Sequence, residues 1–295
     1  MKLFVFFLVF ISIEGYSQIL DNTLGHAFTD QPFFNETFIR KNKIKKMSGK
    51  YTVKKPGDMM RQTEFKYVFS FDSLGHVVST YETKNDNGFK DTIINYYVYD
   101  SLNLMHIHRR NDSHGFTSKY YDYDSSKRII LEETRREVIN EKGQIEQSVI
   151  LNSESMKYEV FPNQIKKTVM NSYNLPYMDV FSNYNNDGYL LEVEERLRMT
   201  SSSVKCVYEY NGKGLISAIK TLSDIEGKFD EEWFFKYDDF GNVYEKLIYK
   251  NGEHVTDIQI IYSTDTKMLY SVLTRDVRTN YIYILRFQGI EYFSK

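Results

Sequence analysis

Two histidines near the middle of the chain, His106 and His108, have the type and spacing of a possible metal site. They are two positions apart, so on a β-strand both side chains would point to the same face. The adjoining loop adds a carboxylate, Asp112, and a third imidazole, His114. Such a set can bind zinc or copper. However, two arginines adjoin the pair, which is more typical of a solvated strand end, and we expect neither a metal nor another cofactor.

Adjacent carboxylates are the second candidate for chemistry. They occur as Glu132-Glu133, Glu194-Glu195, Glu231-Glu232 and Asp238-Asp239. Neighbouring residues on a strand face opposite ways, so the members of one pair cannot flank a single bond as glycosidase carboxylates do. The chain also has no Gly-x-Ser-x-Gly, phosphate loop, His-Glu-x-x-His or dinucleotide fingerprint. We therefore predict that the protein is not an enzyme.

The stretch FKYDDFG (235–241) explains one of these pairs in another way, because it recurs about every 25 residues. An aromatic strand leads into Asp or Asn, and a residue suited to positive φ follows three positions later, which is typical of a hairpin turn. The predicted turn residues are Asp72, Gly75, Asp100, Asn103, Asp124, Asn185, Gly188, Asn211, Gly214, Asp238 and Gly241. One copy has Lys127 at the last position, and we expect its turn to differ.

Aromatic residues before each turn would line one face of the sheet. Those considered as possible ligand-facing residues are Tyr97, Tyr99, Tyr121, Tyr123, Tyr208, Tyr210, Trp233 and Tyr237. The ordinary interpretation of this row is a hydrophobic core, and the alternative is an exposed platform on which a ligand stacks. The single cysteine, Cys206, belongs to the same row and is expected to be a small buried side chain.

The chain divides into three segments. Residues 1–17 have the charge, apolar run and small residues of a signal peptide, rather than those of a buried first element. Residues 18–43 lack strand character and are expected to cap one end, with Asn35 starting a short helix that runs through residue 42. Residues 44–295 are predicted to form a single β-repeat domain.

Composition agrees with an all-β protein. The 295 residues include 25 Tyr and 21 Phe but only 4 Pro. The formal net charge is −2, so we expect no nucleic-acid partner and at most a peripheral contact with membranes. The repeats predict a curved antiparallel sheet of about sixteen strands, built from tandem two-strand units with a short N-terminal helix.

The motif aromatic-x-Tyr-Asp-x-x-Gly resembles the repeat of Rhs/YD-repeat proteins, most clearly at 69–75, 208–214 and 235–241. That resemblance implies curled β-sheets that wrap or present other polypeptides, and in some members sugar binding. It implies no catalytic residues. The leader ending in Ser-Gln and the Tyr-, Asn- and Lys-rich body resemble exported proteins of Bacteroidetes-type bacteria.

We therefore expect an exported, non-catalytic protein of the cell envelope that binds an unknown protein or glycan or serves a structural role. The periplasm, the outer-membrane surface and the extracellular space all fit. An outer-membrane β-barrel is the first alternative, because tandem hairpins with alternating short and long turns also fit that class. An enzyme of unknown type is the second alternative, and no feature of the sequence favours it.

Overall fold

The computed structural model describes residues 18–86, 89–112, 115–200, 202–223 and 229–294. This part of the chain forms one helix and eighteen strands. Their bounds are α1 (Glu36–Lys41), β1 (Ile44–Lys54), β2 (Arg61–Phe71), β3 (Val77–Asp86), β4 (Phe89–Tyr99), β5 (Met105–Asp112), β6 (Gly115–Tyr123), β7 (Ile129–Ile139), β8 (Ile145–Phe161), β9 (Gln164–Met170), β10 (Pro176–Tyr184), β11 (Leu190–Leu197), β12 (Ser203–Tyr210), β13 (Ile216–Ser223), β14 (Glu231–Tyr237), β15 (Val243–Lys250), β16 (Glu253–Tyr262), β17 (Leu269–Asp276) and β18 (Ile282–Tyr292).

The sheet closes on itself. Each strand pairs antiparallel with the next, and β1 also pairs with β18 from Ile44↔Tyr292 to Lys54↔Ile282. The prediction of an open curved sheet of about sixteen strands is therefore wrong, and the described residues form a closed barrel of eighteen strands. Tandem hairpins have the same local sequence pattern in open and closed sheets, whereas closure depends on pairing between the two ends of the chain.

Eight connections share one turn, in which the side chain of an Asp or Asn accepts backbone N–H groups two and four residues later. Its members are Asp72, Asp100, Asp124, Asn140, Asn171, Asn185, Asn211 and Asp238. Lys127 adopts φ 62° in this turn, so the prediction of a different turn at this position is wrong. Six of the turns lie at one end of the barrel, the turn rim. Those of Asn140 and Asn171 lie at the other end, the loop rim.

A β-bulge accompanies each of these turns, because the strand register slips by one residue there. A bulge leaves a ladder group without its usual partner. At the turn rim the hydroxyl of a tyrosine from the following hairpin donates a hydrogen bond to such a carbonyl. The hydroxyl of Tyr99 donates to the carbonyl of Val77 at 3.1 Å, and that of Tyr237 to Ile216 at 2.7 Å. Equivalent bonds join Tyr123 to Met105, Tyr158 to Ile129, Tyr210 to Leu190 and Tyr262 to Val243. This hydrogen bond explains why the repeat has Tyr before the turn.

Residues 18–43, hereafter the N-terminal plug, lie inside the barrel and reach the turn rim, where Gln18 Nε2 donates to the Phe240 carbonyl at 3.1 Å. The Phe34 ring lies 4.9 Å from Phe69 on β2, and the hydroxyl of Tyr97 on β4 donates to Asp30 O at 3.2 Å. On the far side, Asn22 Nδ2 donates to the hydroxyl of Tyr237 on β14 at 2.8 Å. Strands so far apart in a closed ring can reach one short segment only through their inner faces, so the plug fills part of the lumen.

The plug contains the helix that the sequence predicts. Asn35 is its N-cap, and the side chain accepts from the backbone N–H of Phe38 at 3.1 Å. The two buried residues of α1, Phe38 and Ile39, join the same hydrophobic core as the inner faces of the strands. The apolar face of the helix therefore holds the plug against the barrel wall.

Candidate functional site

A cavity of about 700 Å³ lies at the loop rim and is the candidate functional site, hereafter the mouth cavity. Its lining residues are Tyr51, Val53, Thr63, Phe65, Glu82, Thr83, Lys84, Thr274, Tyr281 and Tyr283. They come from β1, β2, β3, β17 and β18 and from the connection before β18. The first three strands lie beside β17 and β18 only because β1 pairs with β18, so closure of the barrel creates the cavity.

A tyrosine–carboxyl pair is the polar centre of the mouth cavity. The Tyr51 hydroxyl donates to Glu82 Oε1 at 2.5 Å, and Thr63 Oγ1 donates to the Tyr51 carbonyl at 2.7 Å. Burial raises the pKa of Glu82, although the Tyr51 hydrogen bond opposes that change. Burial and the Glu82 carboxylate together raise the pKa of Tyr51. The phenol therefore keeps its proton and stays a donor to the carboxyl group.

Aromatic rings form the apolar part of the mouth cavity. Tyr281 and Tyr283 meet edge to face with ring centroids 4.6 Å apart, and Phe65 lines the same space. Tyr283 remains 45% exposed, so part of its ring is available to a ligand. Exposed rings beside a few convergent polar groups are typical of binding sites. The arrangement can hold a guest that has both an apolar face and hydrogen-bonding groups.

A buried lysine fastens the plug deeper in the lumen. Lys246 is 2% exposed, and its Nζ donates to the carbonyl of Ala27 in the plug at 3.2 Å. The same Nζ lies 3.8 Å from the centroid of the Trp233 ring, a cation–π contact. Burial lowers the pKa of Lys246 to about 8, while the carboxylate of Glu231 acts in the opposite direction.

A smaller cavity of about 320 Å³ separates this part of the wall from the plug. Cys206, Tyr208 and Trp233 line it from the wall, and His26 lines it from the plug. Burial lowers the pKa of His26. The indole N–H of Trp233 is buried without a hydrogen-bond partner among the described residues. Polar side chains of Thr29, Gln31, Thr221 and Glu231 also line this cavity.

The eight aromatics predicted as possible ligand-facing residues all lie on the inner wall, but none lines the mouth cavity. Tyr97 and Tyr121 are buried, at 5% and 7% exposure. The hydroxyls of Tyr99, Tyr123, Tyr210 and Tyr237 bond to bulge carbonyls. Sequence reasoning missed the lining residues because they lie near the loop rim, away from the repeated motif.

His106 and His108 do not share a face, so the same-face prediction behind the metal hypothesis is wrong. The pairs Val98↔Ile107 and Tyr99↔Met105 leave His106 as the extra residue of a bulge, which reverses its direction. His108 stacks on Tyr97 at 4.8 Å, whereas His106 Nδ1 lies 2.8 Å from the Tyr121 carbonyl. His114 lies outside the described residues. Within those that are described, no group of three or more His, Cys, Asp or Glu side chains could hold a metal ion.

The outer wall, the face turned away from the plug, carries charged pairs among exposed apolar side chains such as Tyr96, Val98 and Ile261. Lys236 follows the lumen residue Phe235 and points outward, where its Nζ lies 2.5 Å from Glu245 on β15. Similar outward pairs are Lys205–Glu192, Lys220–Glu209, Lys166–Glu159 and Arg275–Asp257. A membrane-spanning barrel has the opposite arrangement, with an apolar band outside and a polar lumen. The charged pairs of this wall differ from that arrangement, whereas its exposed Tyr, Val and Ile side chains do not.

Comparisons with known proteins reach only the architecture. No family model and no curated protein sequence matches the chain. Solved structures that it resembles include a porin-like protein from Bacteroides uniformis, with 9% identity and a TM-score of 0.39 over 85% of this chain and 97% of that one. A porin-like protein from Bacteroides vulgatus has 8% identity and a TM-score of 0.27, over 83% and 98% of the two chains. A chain of TcdB2-TccC3-TEV has 11% identity and a TM-score of 0.21, over 73% of this chain and 14% of that one.

Structural similarity at these TM-scores indicates nothing about the function of the barrel. The closed ring favours the barrel alternative over an open repeat sheet. In the part of the chain that the structure describes, no helix is long and apolar enough to cross a membrane.

Proposed function

We propose that this chain is an exported β-barrel of the bacterial cell envelope whose lumen is a binding chamber. The observation that carries the proposal is the mouth cavity, about 700 Å³ of space that the N-terminal plug leaves open beside a tyrosine–carboxyl pair. The charged outer wall supports a barrel that stands in water and meets the membrane at most peripherally. The described lining residues offer hydrogen-bonding groups and aromatic rings, and the activity proposed is binding.

The guest is proposed to be a segment of an extended polymer, either a polypeptide or a glycan. A polypeptide is supported by the plug itself, because the inner wall already holds one extended segment through ring contacts and hydrogen bonds. The resemblance of the repeat to Rhs/YD-repeat proteins supports the same guest. A glycan is supported by the exposed ring of Tyr283 beside the Glu82 carboxyl and the Thr274 hydroxyl.

Retention on peptide and glycan arrays tests this proposal. Residues 18–295 are compared with Tyr283→Ala in the mouth cavity and with Tyr244→Ala, a control on the outer wall with similar exposure. We expect a ligand that is retained by the parent chain and by Tyr244→Ala, with at least a tenfold loss for Tyr283→Ala. No retained ligand on either array, or equal retention by all three chains, would contradict the binding chamber.

An outer-membrane barrel is the second candidate, favoured by the closed ring and the even number of strands. Against it, each Lys or Arg at the bilayer midplane costs roughly 2–4 kcal/mol, and charged residues recur around this wall. Alkaline carbonate extraction of the cell envelope distinguishes the two candidates. Release into the supernatant supports the water-facing barrel, whereas retention in the membrane pellet supports the membrane-spanning one.

A further inference from the structure

Strand β8 extends far beyond its pairing with one of its neighbours, β9. It has 17 residues and pairs with β7 from Leu131↔Ser155 to Ile139↔Ile145. Its pairing with β9 covers only Ser155 to Phe161. Residues 145–154, hereafter the free edge, therefore have a described strand on one side only. Backbone N–H and C=O groups on the other side are available to a further strand.

The free edge has two β-bulges, at Glu146 and Leu151, but neither proline nor a described covering strand protects it. All residues from 141 to 152 are exposed, including Val149 at 44%, Ile150 at 52% and Leu151 at 61%. Between residues 145 and 152 there is no Lys, Arg or Pro, and Glu146 is the only charged side chain. Natural edges are normally blocked by charges, proline or a covering element, because an exposed apolar edge invites another strand. The exposed apolar side chains and free backbone groups of this edge make it suited to a partner.

We propose that two copies of the chain pair edge to edge through their free edges, as antiparallel strands about a two-fold axis near Ser148 and Val149. In that register Glu146 lies opposite residue 151 or 152, both uncharged, so the pairing brings no like charges together. In the register centred on Val149 this residue meets its own copy, whereas Ile150 and Leu151 lie opposite Ser148 and Gln147. A two-fold interface uses the same surface on both subunits, and this segment is compatible with itself in both shape and charge.

The proposed dimer is a weak one. Eight to ten paired residues on each chain bury less area than the roughly 1,000 Å² that a stable interface needs. We therefore expect a dissociation constant in the micromolar range and an equilibrium that depends on concentration. This inference does not depend on the proposed lumen function, because the free edge shares no residue with the mouth cavity.

Sedimentation velocity over a roughly hundredfold range of concentration tests the proposal. Val149→Lys places a charge at the centre of the free edge. Val160→Lys is the matched control, because Val160 is an exposed residue of the same strand, 63% accessible, but its backbone already pairs with Ile165 of β9. We expect the parent and Val160→Lys to dimerise at high concentration and Val149→Lys to stay monomeric. Circular dichroism of both variants checks that they are folded.

Crosslinking provides a second readout that does not depend on a disruptive substitution. In a Cys206→Ser background, Ser148→Cys lies near the proposed axis and should form a disulfide-linked dimer under oxidising conditions. Tyr173→Cys, at an exposed position of the connection between β9 and β10, should not form one. A parent chain that is monomeric at every concentration would overturn the proposal and leave the free edge to another extended polypeptide. A dimer that survives Val149→Lys, or that Ser148→Cys fails to link, would overturn it as well.

Discussion

Replacing Lys246 with methionine should remove a gain in stability that the protein shows between about pH 8 and pH 10. Burial lowers the pKa of this lysine to about 8, whereas an unfolded lysine titrates at about 10.4. Between these values the unfolded chain keeps a proton that the folded chain has released. The free energy of unfolding therefore rises with pH in this window, because the unfolded state binds more protons.

The size of the effect follows from the same difference. Each pKa unit corresponds to about 1.4 kcal/mol, so the full window corresponds to about 3 kcal/mol. The lysine has two partners, since Nζ donates a hydrogen bond to the carbonyl of Ala27 and makes a cation–π contact with the Trp233 ring. Both contacts favour the charged form, and we expect a gain of about 1–3 kcal/mol. Above about pH 10 the buried tyrosines act in the opposite direction: burial raises the pKa of residues such as Tyr262, and the unfolded chain loses those protons first.

Urea unfolding followed by circular dichroism at intervals from pH 7 to pH 10 measures this dependence. The difference between the parent chain and Lys246→Met isolates the contribution of one lysine from those of all other groups. Lys205→Met, on the outer wall, is the control and should leave the slope unchanged. Parallel stability curves for the parent and Lys246→Met across this window would refute the assignment of a buried, charged lysine that fastens the plug.

Three further substitutions test the turn rim and the plug. Tyr262→Phe should cost about 1–3 kcal/mol of unfolding free energy, because the carbonyl of Val243 loses its donor, whereas Tyr270→Phe on the outer wall should be neutral. Equal effects would contradict the role of the tyrosine at the bulge. Phe34→Ala should cost about 3–5 kcal/mol if the plug is part of the core, and a loss below 1 kcal/mol would mean that it is not. Gly241→Val should cost at least about 1–2 kcal/mol, because φ is 85° there and a Cβ would meet the plug, and an unchanged denaturation midpoint would contradict that turn geometry.

The local structure of the repeat could be predicted from the sequence because each part of it is a short-range effect. Asp238 and Gly241 specify a turn of four residues, and the Asn35 side chain caps its helix by accepting from the N–H three residues later. Prediction was less successful where a neighbouring strand decides the outcome. Lys127 takes positive φ because the surrounding hairpin requires it, which a rule based on residue type does not capture. His106 is turned by a bulge that becomes visible only when the partner strand is known.

Closure and the mouth cavity could not be predicted from the sequence for a different reason. The pairing of β1 with β18 joins residues more than 200 positions apart, and nothing in the two segments identifies them as partners. The cavity is a consequence of that pairing, because Tyr51 and Tyr283 face the same space only after the ring closes. The same holds for the plug. Its apolar residues look like those of any capping segment until a lumen exists to receive them.

Refolding of purified residues 18–295 in buffer without detergent tests most directly whether the barrel has a water-facing wall and a filled apolar lumen. We predict a soluble species with a β-sheet circular dichroism spectrum and a cooperative unfolding transition in urea, unchanged when detergent micelles are added. A chain that precipitates in buffer and acquires its β-sheet spectrum only in micelles or lipid vesicles would contradict this account.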